Sequence, residues 1–271
     1  MRRLTIFAKG NLDVRDTLHS LRVGGKLQWN GINEIVRERF PSTLVRVRHE
    51  TWTRSDALLE SGGSVPADLA ERAPPALASS AHPAPTQFSI ALFETDADAI
   101  VLSVQPDVAT TLARHRRHGY LFHPGDWQSW SDSHRRWLRD EFAAEGLVDA
   151  GTSMHNFERI VARIRQRSAA PILVYNLSSV VPGDTVHCHA GLGETLSTRI
   201  RRFNLGIAEL SQRTGISVID VDAVVARAGA AGSKTDVFHL NAEGCRLVAE
   251  ETVRVLEDLG CFAAEERNRC E

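Results

Sequence analysis

Asp236 and His239 stand three residues apart in "TDVFHLNAEG" (235–244). A neutral imidazole serves as a general base when one ring nitrogen is free and the other is held by a partner. A carboxylate three residues away on a turn can reach the inner nitrogen and stabilise the imidazolium. The same residues also fit a plainer role, a histidine that caps or packs the helix after it. "TVHCHAG" (185–191) sets His187 and His189 around Cys188. A His-x-His pair can give a zinc or iron ion two ligands, with a third from Asp236 or His239, or it can simply face solvent or substrate. Arg54, beside Trp52 and His49, carries a planar fork that would hold a carboxylate or phosphate of a substrate. Pairing with Asp56 or Glu50 would occupy it equally well.

Such residues need strands to aim them. Five short runs rich in Val, Ile and Leu stand out: "LTIFA" (4–8), "LVRVR" (44–48), "AIVLSV" (99–104), "PILVYN" (171–176) and "ISVIDV" (216–221). Helical patterns separate them. In the last, Cys245, Val248, Ala249, Thr252, Val255, Leu256 and Leu259 share one face at 3.6-residue spacing, with Asn241 placed to cap it. Alternating strands and helices imply right-handed βαβ units around a parallel sheet. The expectation is one α/β domain over 1–271, a three-layer α/β/α sandwich with about five parallel strands. Residues 59–87, rich in Ala, Pro and Ser, are expected to be an irregular insertion, and 108–152 a helical cap or flank. Function in such a sheet collects at the carboxyl ends of the strands. That directs attention to "KGNLD", "HETWTRSD", "QPDV", "NLSSVVPGD" and the loop bearing Asp236 and His239.

With those blocks in order, the chain resembles the SGNH/GDSL hydrolases, a flavodoxin-like family of esterases, lipases, thioesterases and carbohydrate deacetylases. "TDVFHLNAEGCRLVAEETVRVL" is similar to the family's closing block, Asp-x-x-His followed by Asn, a small residue, Gly and an amphipathic helix. The stretch before it, "RIRRFNLGIAELSQRTGISVIDVDA", also resembles the family, with Asn204 in the helix and Asp220 and Asp222 at the strand end. The resemblance implies acyl-ester, thioester or amide chemistry, by hydrolysis or acyl transfer, with His239 as base and then acid and Asp236 orienting it. The other blocks depart from the pattern. Where the family has Gly-Asp-Ser, this chain has Gly10, Asn11 and Leu12, and leucine is no nucleophile; Asp13 follows at once. Thr17 and Ser20, in the displaced "RDTLHS", are the hydroxyls that could replace the serine. The family's Gly-x-Asn-Asp block aligns with "SVQPD" (103–107), which puts Gln105 beside the asparagine's place and leaves Asp107 in the last position. Asn11, Gln105 and backbone N–H groups near Leu12 would then stabilise charge on the reacting carbonyl. Gly10, Asp13, Trp52, Arg54, Asp107 and His187 would contact substrate. The alternatives are metal-assisted or proton-transfer chemistry through His187 and His189, and a ligand-binding protein without turnover.

The resemblance implies a small acyl-type molecule as the partner, and composition offers no other. The formal net charge is -2, with 42% apolar and 24% charged residues, so the totals give no electrostatic case for nucleic acid or an anionic membrane. The N-terminal "MRRLTIFAKGN" lacks the long apolar run and cleavage site of a signal peptide. Cys188, Cys245, Cys261 and Cys270 form no CxxC pair. The expectation is a cytoplasmic protein with reduced thiols, no cofactor and no cysteine-bound zinc.

Overall fold

In this computed structural model, which describes residues 2–78, 80–180 and 194–263, the chain divides into two compact units. The first comprises 1–49, 96–105 and 169–271, and the second 50–95 and 106–168.

The first unit is built on a parallel sheet of five strands: β1 (Arg2–Lys9), β4 (Thr43–Glu50), β5 (Ala99–Ser103), β9 (Ile172–Tyr175) and β10 (Ser217–Ile219). Their order across the sheet is β10-β9-β5-β1-β4. Numbered among themselves this is 2-1-3-4-5, the doubly wound order whose switch point falls between β1 and β5. All five coincide with the apolar runs of the sequence. Ala99, Ile100, Val101 and Leu102 are each fully buried, so both faces of the sheet are covered and the strand reads as an unbroken apolar run rather than an alternation. One face packs against the helices Leu12–Leu18, Asn33–Arg39, Val221–Ala228 and Ala242–Asp258 through Val14, Ile35, Val36, Val225, Val248 and Leu256.

The last helix buries Cys245, Val248, Ala249, Thr252 and Leu256 as its spacing foretells, together with Val253. Leu259 departs from that reading: the helix stops at Asp258, and Leu259 lies past its end in solvent. The sequence reading also passed over a hairpin, β2 (Leu21–Val23) with β3 (Lys26–Trp29). Gly24 and Gly25, at φ 56° and 80°, supply the left-handed pair that a two-residue hairpin turn requires.

The second unit gathers the segments expected to lie outside the minimal fold. Within 59–87 run the short helices Ala67–Arg72, Pro75–Ala78 and Ala84–Gln87, with Leu69 and Leu77 buried. Residues 108–152 are not helical throughout. They hold an antiparallel sheet of β6 (Leu112–His115), β7 (Leu121–Phe122) and β8 (Phe142–Glu145) in the order β7-β6-β8, beside the helix Asp132–Glu141. Its core joins Leu69, Leu77, Phe88, Phe122, Trp130, Trp137 and Phe142. Among the described residues no helix is long and apolar enough to cross a membrane.

Candidate active site

The first unit delivers the histidine pair the sequence promises. His239 Nδ1 lies 2.7 Å from Asp236 Oδ2 and 2.9 Å from Oδ1. The backbone N–H groups of Phe238 and His239 also donate to Asp236 Oδ1, each at 2.9 Å. A carboxylate only accepts, so the proton sits on Nδ1 and leaves the Nε2 lone pair open. Desolvation pushes the Asp236 carboxyl up, but the bonds from the His239 backbone, the His239 ring and the Phe238 backbone outweigh it, and Asp236 stays below the ordinary carboxylate range.

Local sequence explains why this turn holds its shape. Thr235 N–H returns to His239 O at 2.9 Å, and Lys234 bridges to Leu240. Lys234, only 8% exposed, points its Nζ into the turn and donates to Val237 O and Val180 O, each at 2.8 Å. Its burial lowers its pKa to about 8 against the opposing pull of Asp236 and Asp222. Asn241 then caps the helix, accepting from Gly244 N–H at 2.9 Å and donating to Gly232 O at 3.0 Å. A Cβ on Gly244 would sit 2.1 Å from Ser233 O. The Asn-x-x-Gly of the closing block is thus a packing requirement.

His239 and Asp236 open onto a groove of about 660 Å³ whose wall includes Leu12, Leu21, Val23, Gln28 and Leu240. Leu12, at the place of the family's serine, therefore lines the same groove as the base. Asn11, one residue earlier, donates Nδ2–H to Gln105 Oε1 at 2.8 Å, linking the ends of β1 and β5 across the switch point. This bond fixes the amide's orientation and leaves the Gln105 NH₂ as a donor group at the sheet's mouth. Gly10 packs where a Cβ would meet Val14 at 2.6 Å, and its carbonyl accepts from His49 Nε2 at 2.8 Å. Burial, the largest influence on His49, keeps that ring below its ordinary pKa.

The other expected residues lie elsewhere. Thr17 is fully buried and its hydroxyl donates to Asp13 O at 2.7 Å, as a helical threonine does, so it is no nucleophile. Ser20 is exposed on the connection to β2 and does not line the groove. Gly10 and Asp13 do not line it either; Ser103 Oγ–H donates to the Asp13 carboxylate, and burial raises its pKa. His187 lies outside the described residues, as do Cys188 and His189.

Three expected substrate contacts belong to the interior of the second unit. Arg54, 1% exposed, forks onto Asp56 at 2.9 and 2.7 Å and donates to Thr110 O and Gly146 O. Trp52, 1% exposed, packs edge-on against Phe157. Asp107 is fully buried and accepts from Ser55 N–H at 2.7 Å, from Ser55 Oγ–H, and from Ser153 Oγ–H at 2.6 Å. Burial raises Asp107 to about 6, against the lowering effect of those bonds.

One cluster among the described residues could hold a metal. Asp68, His115 and His118 bring ligand atoms within 4.8 Å of one another. Its hydrogen bonds describe a polar tie instead. His115 Nδ1 accepts from the backbone N–H groups of Arg117 and His118 at 3.1 and 3.0 Å, so the proton sits on Nε2 and faces Asp68 at 3.0 Å. Asp68 also accepts from Tyr120 OH at 2.8 Å.

Sequence reasoning missed Lys234 and the hairpin wall. The signal for the hairpin is present in Gly24-Gly25 between the alternating residues of "LRV" and "KLQW". No family model matches this sequence, and no curated protein is similar to it. Solved structures do match in fold. An acetylxylan esterase from Geobacillus stearothermophilus aligns over 93% of this chain and 93% of its own at 10% identity and TM-score 0.51. The acetyl xylan esterase AlAXEase aligns over 93% and 100% at 12% identity and TM-score 0.50. A lipolytic protein of the G-D-S-L family from Veillonella parvula aligns over 94% and 98% at 14% identity and TM-score 0.47. The fold of this chain is SGNH-like.

Proposed function

We propose that this protein hydrolyses an ester or thioester by direct attack of water, with His239 as the base. The observation that carries the reading is His239 itself: its inner nitrogen is held by Asp236, its outer nitrogen is open, and it faces a groove in which leucine stands at the nucleophile's place. In the forward step His239 Nε2 takes a proton from water as the water oxygen bonds to the carbonyl carbon. The carbonyl π electrons move to its oxygen. The C–O or C–S bond then breaks, the carbonyl re-forms, and Nε2 returns its proton to the departing alcohol or thiol. Asp236 balances the imidazolium that exists between the two transfers. The acetylxylan esterases among the fold's neighbours support an ester substrate by analogy alone.

General base catalysis of this kind contributes about 10²–10⁴-fold. His239→Ala should therefore lower kcat/KM on p-nitrophenyl esters by that factor while the thermal midpoint stays put. Equal rates in wild type and variant would remove His239 from the chemistry.

A further inference from the structure

The β2–β3 hairpin is one wall of the groove that holds His239, and it contributes Leu21, Val23 and Gln28 to the lining. Leu21 and Val23 stand on β2, facing the same groove as Leu12, Leu240 and Ala242. Val23 is 61% exposed, an unusual cost for a valine beside a polar pair. The base of the hairpin is fixed. Trp29 is 3% exposed and its indole N–H donates to Thr17 O at 3.1 Å. Gly31, at φ 83°, lets the chain pass so near the helix end that a Cβ would sit 2.7 Å from Leu18 O. The wall is therefore held in place while Val23 stays open to solvent.

The polar part of the lining tells against an anionic ligand. Asp16, Asp236 and Glu243 contribute carboxylates to the groove, and among the described residues no lysine or arginine lines it. Two of these carboxylates are neutralised from outside the lining, Asp16 by Arg15 and Glu243 by Arg246. The third is engaged by His239. What remains, among the described residues, is a groove that offers apolar surface, the neutral polar side chains of Gln28, Thr235 and Asn241, a base, and no cation in its lining.

We propose that the hairpin selects neutral esters or thioesters with an extended apolar acyl chain, which lies along Leu12, Leu21 and Val23 with its carbonyl at His239. This rests on the hydrolytic reading above and adds the substrate class to it. Covering Val23 and its neighbours with methylene groups supplies binding energy of the kind that grows with chain length. In full burial each methylene is worth about 0.8 kcal/mol, about fourfold in kcat/KM, and an open groove should give about two- to fourfold.

The test is a series of p-nitrophenyl esters from acetate through butyrate and hexanoate to octanoate, with a hemisuccinate ester as the anionic member. It is run on the full-length wild type, on Val23→Asp and on Leu27→Asp. Leu27 is exposed on the same hairpin but does not line the groove. The expected result is a rise of about two- to fourfold per methylene, with the hemisuccinate slower than hexanoate. Val23→Asp should flatten the rise through KM, and Leu27→Asp should preserve it. A preference for acetate, or a rise that Val23→Asp leaves intact, would overturn the proposal. Titration with methyl octyl ketone by calorimetry separates this outcome from a failure of the hydrolytic reading. If no ester turns over but the ketone binds wild type at least about tenfold more tightly than Val23→Asp, the apolar wall stands and the chemistry falls. If the ketone binds neither, or both equally, the wall falls too.

Discussion

Asp236 and Asp107 both occupy places where the mouth of a doubly wound sheet is expected to carry a functional carboxylate, and their surroundings treat them in opposite ways. Asp236 is 53% exposed at its side chain, sits in a seven-residue turn from Lys234 to Leu240, and spends its acceptors on an imidazole and two N–H groups. Asp107 is sealed inside the second unit and answered by two serine hydroxyls and a backbone N–H. The first arrangement leaves a reactive partner, His239, open on its far side. The second closes every path to solvent. A carboxylate's function is read from what its partner does next, and Ser55 and Ser153 do nothing next: Ser55 Oγ accepts from Asn156 at 3.1 Å and the chain of bonds ends in the core.

Substitutions can break this contrast. The largest effect is expected at Asp236→Asn. The amide can donate to Nδ1 and so favours the tautomer whose outer nitrogen is blocked by a proton. kcat/KM on a p-nitrophenyl ester should fall by about 10²–10⁴-fold, with no loss in thermal midpoint. A fall below tenfold would make Asp236 a bystander of the turn.

Asp107→Asn should do the reverse, leaving the rate alone and altering stability. The folded pKa of Asp107 is raised to about 6 from 3.8. The folded state therefore binds the proton more tightly than the unfolded chain. Stability contributed by this group is greatest at low pH, declines as pH rises from about 4 to about 6, and is level above that. The decline is on the order of 2–3 kcal/mol, because each pKa unit corresponds to about 1.4 kcal/mol. Asp107→Asn cannot ionise, so urea unfolding of wild type and variant should differ in slope against pH within that window. Parallel curves would show that Asp107 titrates normally. A change in kcat/KM larger than about threefold would return Asp107 to the site.

The same two aspartates show how much the chain discloses in advance. The five-strand sheet is legible because parallel strands covered on both faces are written as unbroken runs such as "AIVLSV". The Asp236–His239 turn is legible because its partners are local: three residues, one carboxylate and one cap. Asp107 is not, since its partners Ser55 and Ser153 are some fifty positions away on either side, and "SVQPD" looks the same whether the aspartate faces water or serine. Arg54 misleads for a similar reason. Arg-x-Asp resembles a surface pair, and only the carbonyls of Thr110 and Gly146 reveal that it is a buried one. The strands β6, β7 and β8 are two to four residues long and carry Arg114, His115 and Glu145, so no alternation of useful length announces them. Asn11 and Gln105 fall between these cases. Their separate positions follow from the strand ends, and their bond follows from the order of strands, which the sequence does not state.

The proposed hydrolysis depends on His239 and forms no covalent acyl-enzyme, since Leu12 lines the groove and Thr17 is buried. The most direct test is the intact mass of the wild-type protein, acid-quenched during turnover of p-nitrophenyl butyrate and, separately, after exposure to a fluorophosphonate. His239→Ala is treated alongside. The expected result is turnover in the wild type with no acyl or phosphonyl adduct, and loss of turnover in the variant. A stoichiometric adduct on Ser20 or another hydroxyl, present in wild type and absent in His239→Ala, would contradict the claim and name the nucleophile.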